Sequence, residues 1–235
     1  MNYAIAAPSW LAPAVIAGLI GAFVALKSIL ADKRNRALID TAQQLGLKFE
    51  GENWAPGSQA PQLETPLFEH RTDEQIRNIM SGTREGLAVS FFDYWYGRGK
   101  GHREQTLAAF SQQVWLPSFE LGPRSIIRGM GIHFESHPDF AKRFRLSSVD
   151  PEKTRELFTP GMLSFLESFD LNSKWRLEGS GLTLVVYRSG KKVGPQEFLS
   201  FVEETTRIAK TFFHLSGLKE PGHRPSVLGL IPDKS

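Results

Sequence analysis

Four residues with metal-binding side chains alternate along one short segment of the chain. They are His133, Glu135, His137 and Asp139. Alternate residues share one face of an extended strand, so the four could converge on a metal ion and support metal-assisted hydrolysis. The spacing matches none of the named zinc motifs, and Pro138 interrupts a regular strand. A solvated turn is therefore the alternative interpretation of this segment.

An aspartate stands inside the most strand-like segment of the chain, residues 87–96 (LAVSFFDYWY). Burial of the Asp93 carboxylate would be costly unless another group pairs with it. We therefore expect a structural buried acid held by a basic side chain or by loop amides. The candidate basic partners are Arg84, Arg98 and Arg103. A general base with a raised pKa is the alternative role.

Glycines and basic residues alternate in the loop that follows, residues 97–103 (GRGKGHR). This loop is not a P-loop, because the required spacing is missing and a strand follows it instead of a helix. A flexible hairpin tip is the simplest interpretation. Alternatively, Arg98, Lys100 and Arg103 contact anionic lipid or a phosphorylated partner. Gly190-Lys191-Lys192 would extend this surface if it lies on the same edge.

A hydrophobic run near the N-terminus, residues 11–30, is long enough to span a bilayer as a single helix. The residues before it carry no charged side chain, which argues against a cleaved signal peptide. Three basic residues follow the run: Lys33, Arg34 and Arg36. The positive-inside rule therefore predicts an N-terminus outside the cell membrane and a soluble domain in the cytoplasm.

Small residues recur at every fourth position within this run, on one face of the predicted helix. One such set is Ala14, Gly18 and Ala22. Small residues at this spacing let two membrane helices approach closely, so the face is a candidate for homo-oligomer formation. The alternative is that alanine and glycine are simply common in membrane helices.

The composition restricts the classes of function. The chain has 235 residues, 41% hydrophobic and 23% charged, which is typical of globular proteins. It has no cysteine, so disulfides and thiolate metal sites are excluded. A net charge of +3 is small for a nucleic-acid-binding protein, and we expect no nucleic-acid partner. No hydrolase or dinucleotide-binding motif is present, so we expect no cofactor and favour a non-enzymatic role.

The order of the predicted elements indicates an α+β fold. Strands fill residues 75–121, two short helices follow, and a hairpin over 175–187 precedes a long helix. The helix starts carry capping residues before proline, at Asp150-Pro151 and Thr159-Pro160. This order favours an antiparallel sheet with helices packed on one face, preceded by the transmembrane helix.

Three regions follow from these predictions. Residues 1–31 form the membrane anchor, residues 32–215 the soluble α+β domain, and residues 216–235 a flexible tail rich in proline and glycine.

Five short motifs occur in an order that resembles a bacterial family of single-pass membrane-anchored proteins with no known activity. Its pattern is a glycine-bounded turn, Phe-Asp-Tyr, Leu-Pro-x-Phe-Glu-Leu, His-Pro-x-Phe and Leu-Phe-Thr-Pro. In this chain the motifs occupy residues 81–86, 92–94, 116–121, 137–140 and 157–160. The resemblance spans residues 64–213 and implies an anchor plus a domain, with no catalytic residue to carry over. Pro123-Arg124 stands where the family has Pro-Glu.

These features together predict a membrane-anchored protein whose domain is a cytoplasm-facing interaction or binding module. An anchor raises the effective concentration of such a module near its partners. The expected partners are the bilayer, through residues 11–30, and either a protein or anionic lipid. The alternative function is a membrane-anchored hydrolase that uses the metal-binding segment described above.

Overall fold

The computed structural model describes Ala22, Leu26 and residues 33–51, 63–69, 74–125, 131–168 and 174–217. The rest of the predicted membrane span, including Ala14 and Gly18, lies outside these residues, as does the tail from residue 218 onward. Across the described ranges, no helix is both long enough and apolar enough to cross a bilayer.

The described strands form one antiparallel sheet. They are β1 (Lys48–Gly51), β2 (Gln75–Arg84), β3 (Leu87–Tyr96), β4 (Arg103–Pro123), β5 (Phe144–Ser148) and β6 (Trp175–Arg188). The spatial order is β1-β2-β3-β4-β5, and β6 also pairs with β4. A 3-10 turn, Gly99–Gly101, connects β3 to β4. The predicted antiparallel α+β architecture is confirmed.

Helices cover one face of this sheet, as the sequence predicts. They are α1 (residues 33–44), α2 (Pro138–Arg143), α3 (Pro151–Leu157), α4 (Pro160–Glu167) and α5 (Pro195–Leu215). All five contribute buried side chains to one large apolar cluster. The predicted helix caps are present. The Asp150 side chain accepts a hydrogen bond from the Lys153 N–H, and the Thr159 side chain accepts one from the Met162 N–H.

The opposite face of the sheet carries a second, smaller apolar cluster. It includes Phe92, Tyr94 and Tyr187, and residues 63–69 cover it through Leu67 and Phe68. The rings of Phe68 and Tyr94 meet edge to face with centroids 4.7 Å apart. A loop segment therefore covers this face, where a helix would cover it in a three-layer fold.

The long ribbon of β4 and β6 bends back on itself. Lys174 and Ser189 flank β6, and a straight strand would hold them about 50 Å apart. Instead, the Ser189 N–H donates a hydrogen bond to the Lys174 carbonyl at 3.2 Å. The bend lies where the β4–β6 register shifts on either side of Leu116, opposite Gly181. The predicted hairpin is therefore one bent strand, because both halves of β6 pair with β4 and not with each other.

Helix α1 lies lengthwise on the sheet. Near its start, Arg34 contacts Asp93 close to the end of β3. Just after its end, the Leu45 carbonyl accepts a hydrogen bond of 3.0 Å from Arg84, which pairs with Leu87 at the start of β3. Helix α1 therefore runs antiparallel to β3. The N-terminal end of the described part of α1 lies at the end of the sheet where β3 passes into β4, here called the β3–β4 end.

Candidate functional site

The Asp93 carboxylate is buried beneath α1 and is saturated with hydrogen bonds. Arg34 donates to both oxygens, at 2.7 Å to Oδ2 and 3.2 Å to Oδ1. Asn78 Nδ2 donates to Oδ2 at 2.8 Å, and Thr106 Oγ1 donates to Oδ1 at 2.7 Å. A carboxylate has about four acceptor positions, so these four bonds leave none directed at a substrate. This arrangement suits a structural ion pair and does not suit a general base.

The partner of Asp93 differs from the one expected. The sequence suggests Arg84, Arg98 or Arg103, whereas the structure assigns the role to Arg34. Arg84 lies at the far end of β2, where it donates to a backbone carbonyl. Arg34 is 59 positions from Asp93, and only the packing of α1 along the sheet brings the two together. Local strand patterns carry no signal for such a contact.

The Asp93 cluster also holds the loop that follows β6. Arg34 Nη2 donates to the Val193 carbonyl at 3.0 Å, and the Val193 N–H donates to Thr106 Oγ1 at 2.9 Å. The Thr106 N–H donates to the Lys191 carbonyl at 3.0 Å. These bonds tie α1, β4 and the β6–α5 loop into one polar network at the β3–β4 end.

A pocket of 380 Å³ opens at the same end, where the two ends of the bent ribbon meet. We call it the seam pocket, and its lining residues are Tyr96, Arg103, Ser125, Lys174, Ser189 and Gly190. They come from the end of β3, both ends of β4 and both ends of β6. The bend of the ribbon is what gathers them. Two cationic side chains and three hydroxyl-bearing side chains in one pocket suit an anionic ligand.

The predicted basic tip lies beside this pocket. Arg98 and Arg103 are exposed and flank the turn that contains Lys100. Lys192 forms an ion pair with Glu104 of β4, so the β6–α5 loop lies on the same edge as the tip. The sequence identified the tip but not the pocket, since Ser125, Lys174 and Ser189 sit in segments without a recognisable motif.

A second buried acid, Glu178, lies under residues 63–69 on the opposite face. The Leu67 N–H donates to its carboxylate at 2.6 Å, Tyr187 donates its hydroxyl, and Arg176 lies 3.4 Å away. Burial raises the pKa of Glu178, and the nearby Arg176 opposes that rise. Burial and the Glu178 charge together raise the pKa of Tyr187 well above its ordinary value. The Glu178 side chain has no solvent exposure, which suits a structural role.

The sequence contains one signal that points to a buried acid at Glu178. Arg176 and Glu178 share a face of β6, while Trp175 and Leu177 alternate with them as buried apolar residues. Charged residues at both polar positions of a mostly buried strand indicate a buried ion pair.

The four metal-type residues do not converge in the structure. Glu135 lies in a turn, and His137 precedes α2, which contains Asp139. The Asp139 carboxylate pairs instead with Lys142 at 2.7 Å, and this hydrogen bond lowers the pKa of Asp139. Within the described part of the chain, no group of three or more His, Asp or Glu side chains is placed to hold a metal ion. The prediction assumed that residues 133–139 form an extended strand. Instead, residues 135–136 form a turn and α2 begins at Pro138.

The chain was compared with known proteins. No protein-family model matches it, and no curated protein matches its sequence. A solved structure, the mycobacterial trehalose monomycolate transport factor A (TtfA), is similar with a TM-score of 0.52 and 14% sequence identity. The match covers 77% of this chain and 93% of the TtfA chain. At this level of identity the comparison shows a shared fold.

Proposed function

We propose that this protein is a membrane-anchored binding module that acts as an accessory factor in lipid transport. The observation that carries the proposal is the fold shared with TtfA, a protein named as a transport factor for a mycolate lipid. The anchor is the hydrophobic run 11–30, and the domain faces the cytoplasm by the positive-inside rule. The fold shared with TtfA and the proposed anchor together support a binding role, with a protein as the main partner.

The connection between α1 and the sheet supports this function. The side chains of Arg34 and Asp93 are only 17% and 7% exposed, so water screens their attraction weakly. The bidentate pair fixes the start of α1 against β3 and β4. A membrane helix that continues into α1 would therefore hold the domain with its β3–β4 end towards the bilayer.

The chemistry of the buried groups supports binding over catalysis. The two buried carboxylates of the described residues, Asp93 and Glu178, both accept hydrogen bonds from protein donors. Catalytic acids and bases need access to a substrate proton, and Glu178 is fully buried. Several exposed basic side chains, among them Arg98 and Arg103, lie at the β3–β4 end, where they suit recognition.

Co-purification from the native membrane tests this function. The full-length protein and a control containing only residues 1–50 would be extracted in mild detergent and their partners identified by mass spectrometry. We expect a stoichiometric protein of a lipid-transport system with the full-length chain and its loss in the control. Equal recovery with both, or partners unrelated to lipid transport, would contradict the proposal.

A further inference from the structure

We propose that the seam pocket and the basic tip bind the phosphate groups of anionic phospholipids in the leaflet beneath the domain. This inference rests on the membrane anchoring proposed above. It adds a specific lipid class and a specific site to that function.

The position of the pocket relative to α1 is the first argument. Asp93, which holds the start of α1, pairs with Thr106, and Tyr96 pairs with Arg103 three residues farther along β3. Three strand residues span about 10 Å. Arg103 therefore lies about 10 Å beyond the Asp93–Arg34 pair along the strand direction, on the side away from the body of the sheet. A helix that leaves α1 towards a bilayer brings this pocket to the headgroup layer.

The charge balance at this end is the second argument. Glu104 and Glu197 are paired with Lys192 and Lys191. Arg103 and Lys174, in contrast, form no ion pair with any carboxylate of the described residues. Their charges are thus available to an external anion.

Further exposed charges at this end are mostly positive. Lys33 and Arg36 are exposed at the start of α1, and Arg98 is exposed at the tip. Glu74, exposed at the start of β2, is an acidic exception. Basic residues close to an anionic leaflet each contribute to binding, so such a surface favours headgroups over neutral lipid.

The side chains of the pocket match the chemistry of a phosphodiester. The Arg103 guanidinium can donate two parallel hydrogen bonds to phosphate oxygens, and Lys174 adds a point charge. The hydroxyl groups of Ser125 and Ser189 are further donors in the pocket wall. Tyr96 adds an amphipathic ring, which is favoured at the membrane interface.

Hydrogen–deuterium exchange of the full-length chain in nanodiscs tests the inference. The discs would contain phosphatidylcholine alone or phosphatidylcholine mixed with phosphatidylglycerol. We expect slower exchange of residues 97–103 and 188–190 in the anionic discs. The variant Arg103→Gln with Lys174→Gln should reduce the ratio of docked to free domain about 30-fold, since each basic residue near an anionic leaflet contributes about fivefold.

A matched control removes the same two residue types elsewhere. Arg207 and Lys210 are exposed on α5, and Lys210 pairs with Glu85 in the turn at the opposite end of the sheet. The variant Arg207→Gln with Lys210→Gln has the same net charge as the test variant. We expect it to keep the slow exchange in anionic discs.

The possible outcomes separate the alternatives. Equal exchange in both kinds of disc, or equal losses in the two double variants, would overturn the inference. If inorganic phosphate slows exchange in neutral discs as much as anionic lipid does, the ligand is a soluble anion and the inference is overturned. If only a phosphopeptide slows exchange, the partner is a protein and the inference is likewise overturned. Failure of the chain to enter neutral discs would instead count against the proposed anchoring.

Discussion

The guanidinium of Arg34 and the carboxylate of Asp93 form a bidentate ion pair that joins α1 to β3. The pair sits at the β3–β4 end, where it also holds the loop after β6 through Val193. A helix that leads from a predicted membrane span is thus fixed in direction relative to the domain. Under the proposed anchoring, this contact decides which end of the sheet lies nearest to the membrane.

Breaking this pair should destabilise the domain. Asp93→Ala leaves the mostly buried Arg34 without its counter-charge, and such a loss costs about 3 kcal/mol or more. Urea unfolding of the variant and the wild type would measure the difference in free energy of unfolding. Lys142→Ala, which breaks the exposed pair with Asp139, is the control and should leave stability nearly unchanged. Equal losses of unfolding free energy in the two variants would contradict a stabilising role for the Asp93–Arg34 pair.

Glu178 should make stability depend on pH. Burial raises its folded-state pKa above the ordinary value of 4.5, so the folded protein keeps this proton to higher pH than the unfolded chain. The stability contributed by this group is therefore complete below pH 4.5 and is lost as pH rises through the folded pKa. Glu178→Gln removes the titration, so its stability relative to wild type should increase with pH.

Urea unfolding at a series of pH values would measure this difference. Arg176 faces Glu178 and also pairs with Glu120, and Tyr187 donates its hydroxyl to Glu178. Arg176, Glu120 and Tyr187 all remain in the variant. A change in how the free energy of unfolding depends on pH therefore reports on the Glu178 carboxyl group itself. A stability difference that stays constant with pH would contradict the expected pKa shift.

Gly179 should tolerate no side chain. A Cβ atom at this position would lie 2.2 Å from Phe119 Cε1. The Phe119 ring is fully buried and packs against Phe158 and Phe212, with centroids 5.4 and 5.8 Å away, so it has no space to retreat. We expect Gly179→Ala to cost about 1–3 kcal/mol in thermal or urea unfolding. Gly101→Ala is the control, because nothing lies within 4 Å of its added Cβ.

The metal-type segment should bind no metal tightly. The Asp139 carboxylate pairs with Lys142, and His137 lies 3.0 Å from the Ser136 hydroxyl. We expect elemental analysis of the purified protein to find no stoichiometric zinc or other transition metal. His133→Ala with His137→Ala should leave both the metal content and the recovery of partners unchanged. One equivalent of metal that the double variant loses would restore the hydrolase hypothesis.

The fold class was predictable because its signals are local. Capping residues at Asp150 and Thr159 mark helix starts, and the apolar positions of residues 195–215 repeat at the helical period. The strand around Asp93 is rich in aromatic residues, which favour sheets. Such patterns depend only on neighbours in sequence, so a single sequence is enough to show them.

The candidate site was less predictable because tertiary contacts create it. The seam pocket exists only because β4 and β6 bend together, which brings Lys174 next to Ser189. The partner of Asp93 likewise comes from a helix that packs across the sheet. Where the sequence did suggest a site, at residues 133–139, the alternating pattern assumed a strand that a turn and a helix replace.

The orientation of the domain on the bilayer is the most direct test of the account. The chain has no cysteine, so Gly101→Cys at the β3–β4 end and Thr83→Cys at the opposite end each provide a single labelling site. Fluorophores at these sites would be measured in nanodiscs with quenchers attached to the lipid headgroups. We predict strong quenching at residue 101 and little at residue 83. Equal quenching at both sites, or stronger quenching at residue 83, would contradict a domain held to the membrane by its β3–β4 end.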